Sequence, residues 1–410
     1  MTLFTARRKA SSNNTSAACG RFICLFVVGA AAAFAQPNYA QTVDVLEQAM
    51  RKVTQADARG KVMHQLQAAT VALDFGNRPA ATALFDEALA SISAVYAQTT
   101  QAARARSLWY NEGSKDFKGE PYERVMAHYY RGLVDMMSGD YENARASFKS
   151  GLMQDAFAEE EQHRADFALM LYLEGWCSLR LGAPALAKEA FDEFSKLRPN
   201  VPIPAADHDT LILVETGKAP RKLQDGVGGN KLVYRQGKRF SERAVGVEML
   251  GISMKPFLIE SIFWQASTRG GRAIDGIIDG KLQLKSNAEA LSTMVADVAN
   301  NLQPYAPLIN RGGGALAGVA AVAGLAALIS SNIGTRADSR YWNNLPDAVH
   351  AVTITRPPSA TDARLSFFDE TARPLPALDR NVSLIVDAAG GGLLWSRSRR
   401  ATDIDVKLGE

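Results

Sequence analysis

Apolar positions recur with a helical period through the first half of the chain. Val62 to Phe75, Val125 to Met137 and Phe167 to Leu181 each read as an apolar helix, because residues three and four apart share one helical face. Each run meets a glycine, and a fixed pattern follows it: Gly76, Ala81, Phe85, Ala88; then Gly139, Ala144, Phe148, Gly151; then Gly182, Ala187, Phe191, Phe194. Glycine ends a helix in a turn that needs positive φ. The small residue five positions on lets the next helix lie close, and the phenylalanine four further on fills the space between the pair. Beyond Pro199 the period changes. A Pro-bearing linker, 200–206, and a turn-rich stretch, 217–229, lead into strand-like segments at Lys231–Tyr234, Pro256–Ile262 and Leu282–Leu284. Residues 287–301 read as a helix. Val349–Thr355, Ala363–Phe368, Val382–Asp387 and Leu393–Trp395 then read as strands separated by Pro- and Gly-bearing turns. The pattern predicts an α+β protein: helical pairs first, then a small antiparallel sheet or sandwich.

The helical half resembles the tetratricopeptide repeat (TPR) family. Gly132 and Gly175 each precede the repeat alanine by 12 residues, as the family's small first-helix residue does, and Pro199 follows Ala187 by 12, where the closing proline belongs. The alanines are 63 and 43 residues apart, against a family period of about 34. The segment 89–124 is an insert between the first two copies, and the helices flanking the second link are expected to extend through 155–164. The array is therefore irregular, and it covers about 60–200. The whole layout also looks like a group of uncharacterised exported bacterial TPR proteins. In this family the first helix of each pair lines a concave surface that holds a protein or peptide. By register, that surface takes Met126, Tyr129, Leu133 and Met136 from the second copy and Tyr172, Trp176 and Arg180 from the third. Aromatics, methionines and an arginine suit a peptide groove. Residues at helical spacing equally suit a core, and the insert could fold over them.

The first 35 residues read as an export signal. Arg7, Arg8, Lys9 and Arg21 precede the uncharged stretch 22–34, and Ala33-Phe34-Ala35 fits a signal-peptidase site. Cleavage after Ala35 is expected, with an uncleaved anchor or a weaker cut after Ala40 as alternatives. Loss of these residues changes the net charge from +3 to −1, which argues against a nucleic-acid partner. Cys19 and Cys24 would leave with the signal, so Cys177 remains alone and no disulfide forms within the mature chain. The product is expected in the periplasm or at the outer membrane.

Residues 312–335 form a charge-free run of 24 between Arg311 and Arg336, rich in Ala and Gly. Its length suits a membrane span, and Gly314 with Gly318 suits close helix packing. A buried or self-associating helix, and hence a homo-oligomer, is the other reading. The implied domains are 1–35 (signal), 36–200 (helical repeats), 201–311 (an α/β segment), 312–335 (the apolar run) and 336–410 (a β-rich module).

Catalytic motifs are sparse. There is no HExxH, no Gly-x-Ser-x-Gly and no P-loop. Glu160 and His163 stand in an acidic run without further metal ligands, and Asp207-His208-Asp209 sits in a linker. Arg269 and Arg272, around a Gly-Gly turn, could flank an anion. No cofactor or metal is expected. The resemblance, with the export signal, implies a non-catalytic envelope scaffold that binds a protein partner through the groove. The alternatives are a structural component of an export or surface-assembly complex that uses 312–335, and a hydrolase whose site is assembled from distant residues.

Overall fold

A computed structural model describes residues 39–95, 116–155, 166–225, 231–268 and 338–403. The described part of the first half is helical: α1 (Tyr39–Gln55), α2 (Ala58–Asp74), α3 (Arg78–Val95), α4 (Pro121–Met137), α5 (Tyr141–Asp155), α6 (Ala168–Arg180) and α7 (Pro184–Leu197). Helices α2 and α3, α4 and α5, and α6 and α7 pack as consecutive pairs. Each pair turns on a glycine in the left-handed region, with φ of 77° at Gly76, 76° at Gly139 and 68° at Gly182, a conformation that a side chain would strain. Within the pairs, Gly132 and Gly175 are where two helices come closest. A Cβ on Gly132 would stand 2.6 Å from the Phe148 ring, and one on Gly175 would collide with Phe191. Ala81, Phe85, Ala144, Phe148, Ala187 and Phe191 are all buried, whereas Pro199 lies exposed just past α7.

The strands follow: β1 (Thr210–Thr216), β2 (Arg221–Asp225), β3 (Lys231–Arg235), β4 (Ala244–Met249), β5 (Ile252–Met254), β6 (Phe257–Ser261), then helix α8 (Ile262–Thr268), β7 (Ala348–Ile354), β8 (Asp362–Phe368), β9 (Arg380–Ser383), β10 (Ile385–Val386) and β11 (Gly392–Arg397). A five-stranded sheet runs β10-β11-β1-β7-β6, a four-stranded sheet runs β5-β4-β8-β9, and β2 pairs with β3 as a separate ribbon. The pairs are antiparallel except β1 with β11, which is parallel.

Strand β1 shows how these pieces are layered. All seven of its residues are buried. Successive side chains of a strand point to opposite faces, and here the two faces meet different neighbours. Leu211 and Leu213 join the core of the helices, with Val349, Ala351 and Leu393. Ile212 and Val214 join Val245, Val247, Leu365 and Phe367 of the four-stranded sheet. The order is therefore helices, five-stranded sheet, four-stranded sheet, and Pro37–Glu410 forms one compact unit.

Several expectations change. The strand at the centre of the larger sheet, β1, falls between two stretches read as linker and turn. Strand β2 lies inside the stretch read as turn-rich. Pro256–Ile262 divides into β6 and the first residue of α8. Val382–Asp387 divides at Leu384, which leaves the β9 line so that β10 can pair in the other sheet. The segments 201–311 and 336–410 are not separate modules, because each sheet takes strands from both. Nor is the sheet structure wholly antiparallel. The signal 1–35, the segment 96–115 of the insert, the expected helix extension 156–164, Glu160 with His163, Arg269, Arg272, the stretch 282–301 and the run 312–335 lie outside the described residues.

Candidate functional site

The residues expected to line a groove lie on α4 and α6. Met126, Tyr129, Leu133, Met136, Tyr172 and Trp176 are each no more than 2 % exposed, and the Arg180 side chain is 16 % exposed. The five-stranded sheet of the same chain lies against this face.

At the centre of the contact is Glu215, near the end of β1. Its carboxylate is completely buried. It accepts hydrogen bonds from Tyr129 (3.1 Å), Tyr130 (2.8 Å) and the Trp395 indole (2.9 Å), and the Arg397 guanidinium stands 3.2 Å away. The register explains the meeting: Glu215 and Arg397 are direct neighbours across the parallel β1–β11 pair, and both point to the helices. Burial pushes Glu215 upward, while Arg397 and the three donors pull it back; the balance stays above the usual carboxylate value. Burial works against the Arg397 charge, but the facing Glu215 carboxylate outweighs it and holds the guanidinium protonated. The same buried negative charge raises both tyrosines well beyond their ordinary value, after burial itself. Arg397 also donates to the Asn344 carbonyl at 2.6 Å, which fixes the chain just before β7.

A second contact caps a helix from the sheet. Phe167, the N-cap of α6, offers no side-chain acceptor. Glu260 of β6 fills that role and accepts from the Leu169 N–H at 3.4 Å. A carboxylate at a helix N-terminus meets unpaired N–H groups and the positive end of the helix dipole. Glu260 is anchored in turn by Arg198 at 3.0 Å and Gln265 at 3.1 Å. The register shift in β6 between Leu258 and Glu260 is what turns this carboxylate toward α6.

Two further contacts close the edges. Glu123, in the first turn of α4, accepts from the Trp342 N–H at 2.6 Å, and Trp342 packs its ring against Phe85 and Tyr130. Burial raises Glu123 to about 7 although Lys222 and two backbone donors oppose it. At the other edge, Tyr141 donates to Asp387 at 2.7 Å, and Arg180 stands 3.8 Å from the same carboxylate. The turn that holds Asp387 needs Gly391, where any Cβ would strike Arg180.

The spacing of Tyr129, Tyr172, Trp176 and Arg180 brings them to this one face. The groups that engage the face carried no such signal: Glu215, Arg397, Glu260 and Arg198. The lone acid in the apolar run TLILVET was the clue available, since an isolated charge in a buried strand requires a partner. Glu215 with Arg397, flanked by tyrosines, makes a closed ion pair with its oxygens already used, and it offers no open position for chemistry. Among the described residues no group of three or more His, Cys, Asp or Glu is arranged to hold a metal, and no helix is long and apolar enough to cross a membrane. His208 lies just before β1 with its Nδ1 2.7 Å from the Thr353 hydroxyl, and Cys177 is buried inside α6. Comparison with protein-family models found no match, and neither did comparison with curated proteins.

Proposed function

We propose that this chain is a non-catalytic, exported component of an envelope assembly, in which the helical half serves as a backing for the sheets. The observation that carries the reading is the occupation of the α4–α6 face by the chain's own sheet through Glu215, Arg397 and Glu260. A partner could enter that face only by removing β1, which is buried on both sides. The partner surface is therefore elsewhere. The described body holds both ends of the segment 269–337: α8 packs on α4, β3 and β7, and Arg340 is tied to Asp338 and to the carbonyl of Arg59. That segment contains the charge-free run 312–335, whose composition suits contact with a membrane or a second copy. A rigid body that grips a segment at both ends is suited to presenting it.

The test is crosslinking and pull-down from fractionated envelopes, comparing wild type with a deletion of 312–335. The deletion is expected to fold, to leave the membrane fraction and to lose its crosslinked neighbours. Unchanged fractionation and unchanged crosslinks would sink the role of the run. Retention of the intact chain in the cytoplasm would sink the envelope placement.

A further inference from the structure

The ribbon β2–β3 and the turn after it carry a charge pattern that the fold does not require. Residues 218–243 contain eight Lys or Arg residues against Asp225 and Glu242. Three of these bases are committed to the fold, Lys218 to Asp403, Lys222 to Glu120 and Arg243 to Asp347, and so is Glu242, which accepts from Arg399 at 2.7 and 2.9 Å and from Ser398 at 2.7 Å. The face of the ribbon turned to the body is ordinary. Lys222, Leu232 and Tyr234 are buried there, with Lys222 paired to Glu120. The outward face is not. Arg221 stands directly across from Arg235 in the pairing register. Like charges opposite one another weaken a strand pair, and an acid at either position would have strengthened it. Arg235 and Arg239 are exposed with no acidic partner among the described residues, and Arg221 donates only to the Gln236 carbonyl at 3.0 Å. Arg239 is held in the turn at φ 59°, a conformation uncommon for a side-chain-bearing residue.

Next to the arginine pair on the same outward face is an apolar pair, Leu223 across from Val233, both half-buried. We infer that this ribbon is a docking surface for an anionic phospholipid membrane, its arginines on phosphate headgroups and Leu223 with Val233 at the acyl boundary. A membrane interface offers both chemistries at once. A soluble polyanion would match the arginines and leave the apolar pair in water. The mature chain's slight negative charge makes the contact local, with this ribbon turned to the lipid. The inference rests on the envelope placement proposed above for its setting, and it is separate from the run 312–335.

The test is co-sedimentation of residues 36–410, which lack the basic export signal and keep the compact unit Pro37–Glu410, with vesicles of phosphatidylcholine alone and with about one third phosphatidylglycerol. Taking the difference between the two vesicle types removes any contribution from apolar segments, which bind both alike. Wild type is expected to prefer the anionic vesicles. The triple variant R221Q/R235Q/R239Q is expected to lower that partitioning by ~tenfold or more, and high salt should do the same to wild type. The variant should be at least as stable to urea as wild type, because a repulsion is removed, so a loss of binding is not a loss of folding. R235K keeps the charge and should keep the binding. Equal partitioning of wild type onto both vesicle types, or an unaffected triple variant, overturns the inference. Tight binding to a soluble anionic polymer with no vesicle preference also overturns it and points to a polymer instead. If the vesicles are bound but the cellular protein is cytoplasmic, only the envelope placement fails.

Discussion

The two faces of the five-stranded sheet are built on different principles. Toward the four-stranded sheet the contact is aliphatic and aromatic: Ile212, Val214 and Leu394 against Val245, Val247, Leu365 and Phe367. Toward the helices it includes completely buried charges, Glu215 and Glu260, with their partners Arg397 and Arg198. Apolar contacts are non-directional and add in proportion to area. A buried ion pair contributes little net stability and yet is costly to break on one side. The contrast implies that the sheet–sheet face holds the sandwich together, whereas the helix–sheet face fixes which surface of the helices meets which strands.

The largest effect should come from leaving one charge alone on the helix side. Glu215→Leu strands Arg397, two tyrosine hydroxyls and the Trp395 indole, and a loss of ~3–5 kcal/mol is expected in urea melts. The double change E215L/R397M should recover much of that loss, because the uncompensated charge goes with its partner. If the double variant is as unstable as the sum of the singles, the pair is not a unit and the contrast between the faces fails. On the other face, Leu365→Ala should cost ~2–5 kcal/mol through lost burial and a residual cavity. That cost should not depend on salt or on any second substitution among the helix-facing charges, which makes it the reference for the first experiment.

A smaller effect tests the helical pairs that support the face. Gly175→Ala places a methyl group into the Phe191 ring, and overpacking of this kind costs ~1–3 kcal/mol. Replacing Phe191 by Leu in the same chain should return part of the loss. A variant as stable as wild type would mean that α6 and α7 can separate without consequence, and the backing would then not be rigid.

The helical pairs were legible because they rest on local rules. A glycine needing positive φ, an alanine five on and a phenylalanine four further are all set by the turn and by the face of one helix, so Gly139, Ala144 and Phe148 announce themselves in order. The sheets were legible only in part as strands, since β1, β2, β4 and β5 went unread, and not at all as an arrangement. Pairing joins β1 to β7 and β11 across more than a hundred residues, and nothing local records such partners. Strand β1 was missed for a further reason. Buried on both faces, it shows a continuous apolar run and no alternation, and it stands between a linker and a turn-rich stretch. The period of Tyr129, Tyr172 and Trp176 marks one helical face, which is buried and is not an open groove. What covers that face depends on the three-dimensional register of Glu215 and Glu260, which periodicity does not carry.

The smallest effect concerns pH, and it belongs to the helix-facing side. Glu123 is raised from 4.5 to about 7 by burial beneath Trp342. The folded state therefore holds a proton there that the unfolded chain has released, over the window between those two values. Folding binds more protons in that window, so this group's contribution is full below about 4.5 and falls as pH rises through about 7. His128 and His350 run the other way. Burial lowers both to about 4, so their contribution is present above 6.5 and is lost as pH falls through 4. In whole-protein stability the two trends oppose each other, and neither would be visible alone. Comparison with Glu123→Gln separates them, since glutamine keeps the size of the protonated acid and does not titrate. The stability difference, wild type minus variant, is expected to shrink by about 1 kcal/mol between pH 6 and 7.5, read from urea midpoints. Asp347, raised to about 6 by burial, is common to both chains and cancels in the difference. A difference independent of pH would mean that Glu123 is ionised throughout, held so by Lys222 and its two backbone donors. The N-terminus of α4 would then be joined to the 338–347 chain by a buried carboxylate that accepts a backbone N–H, as Glu260 does from Leu169.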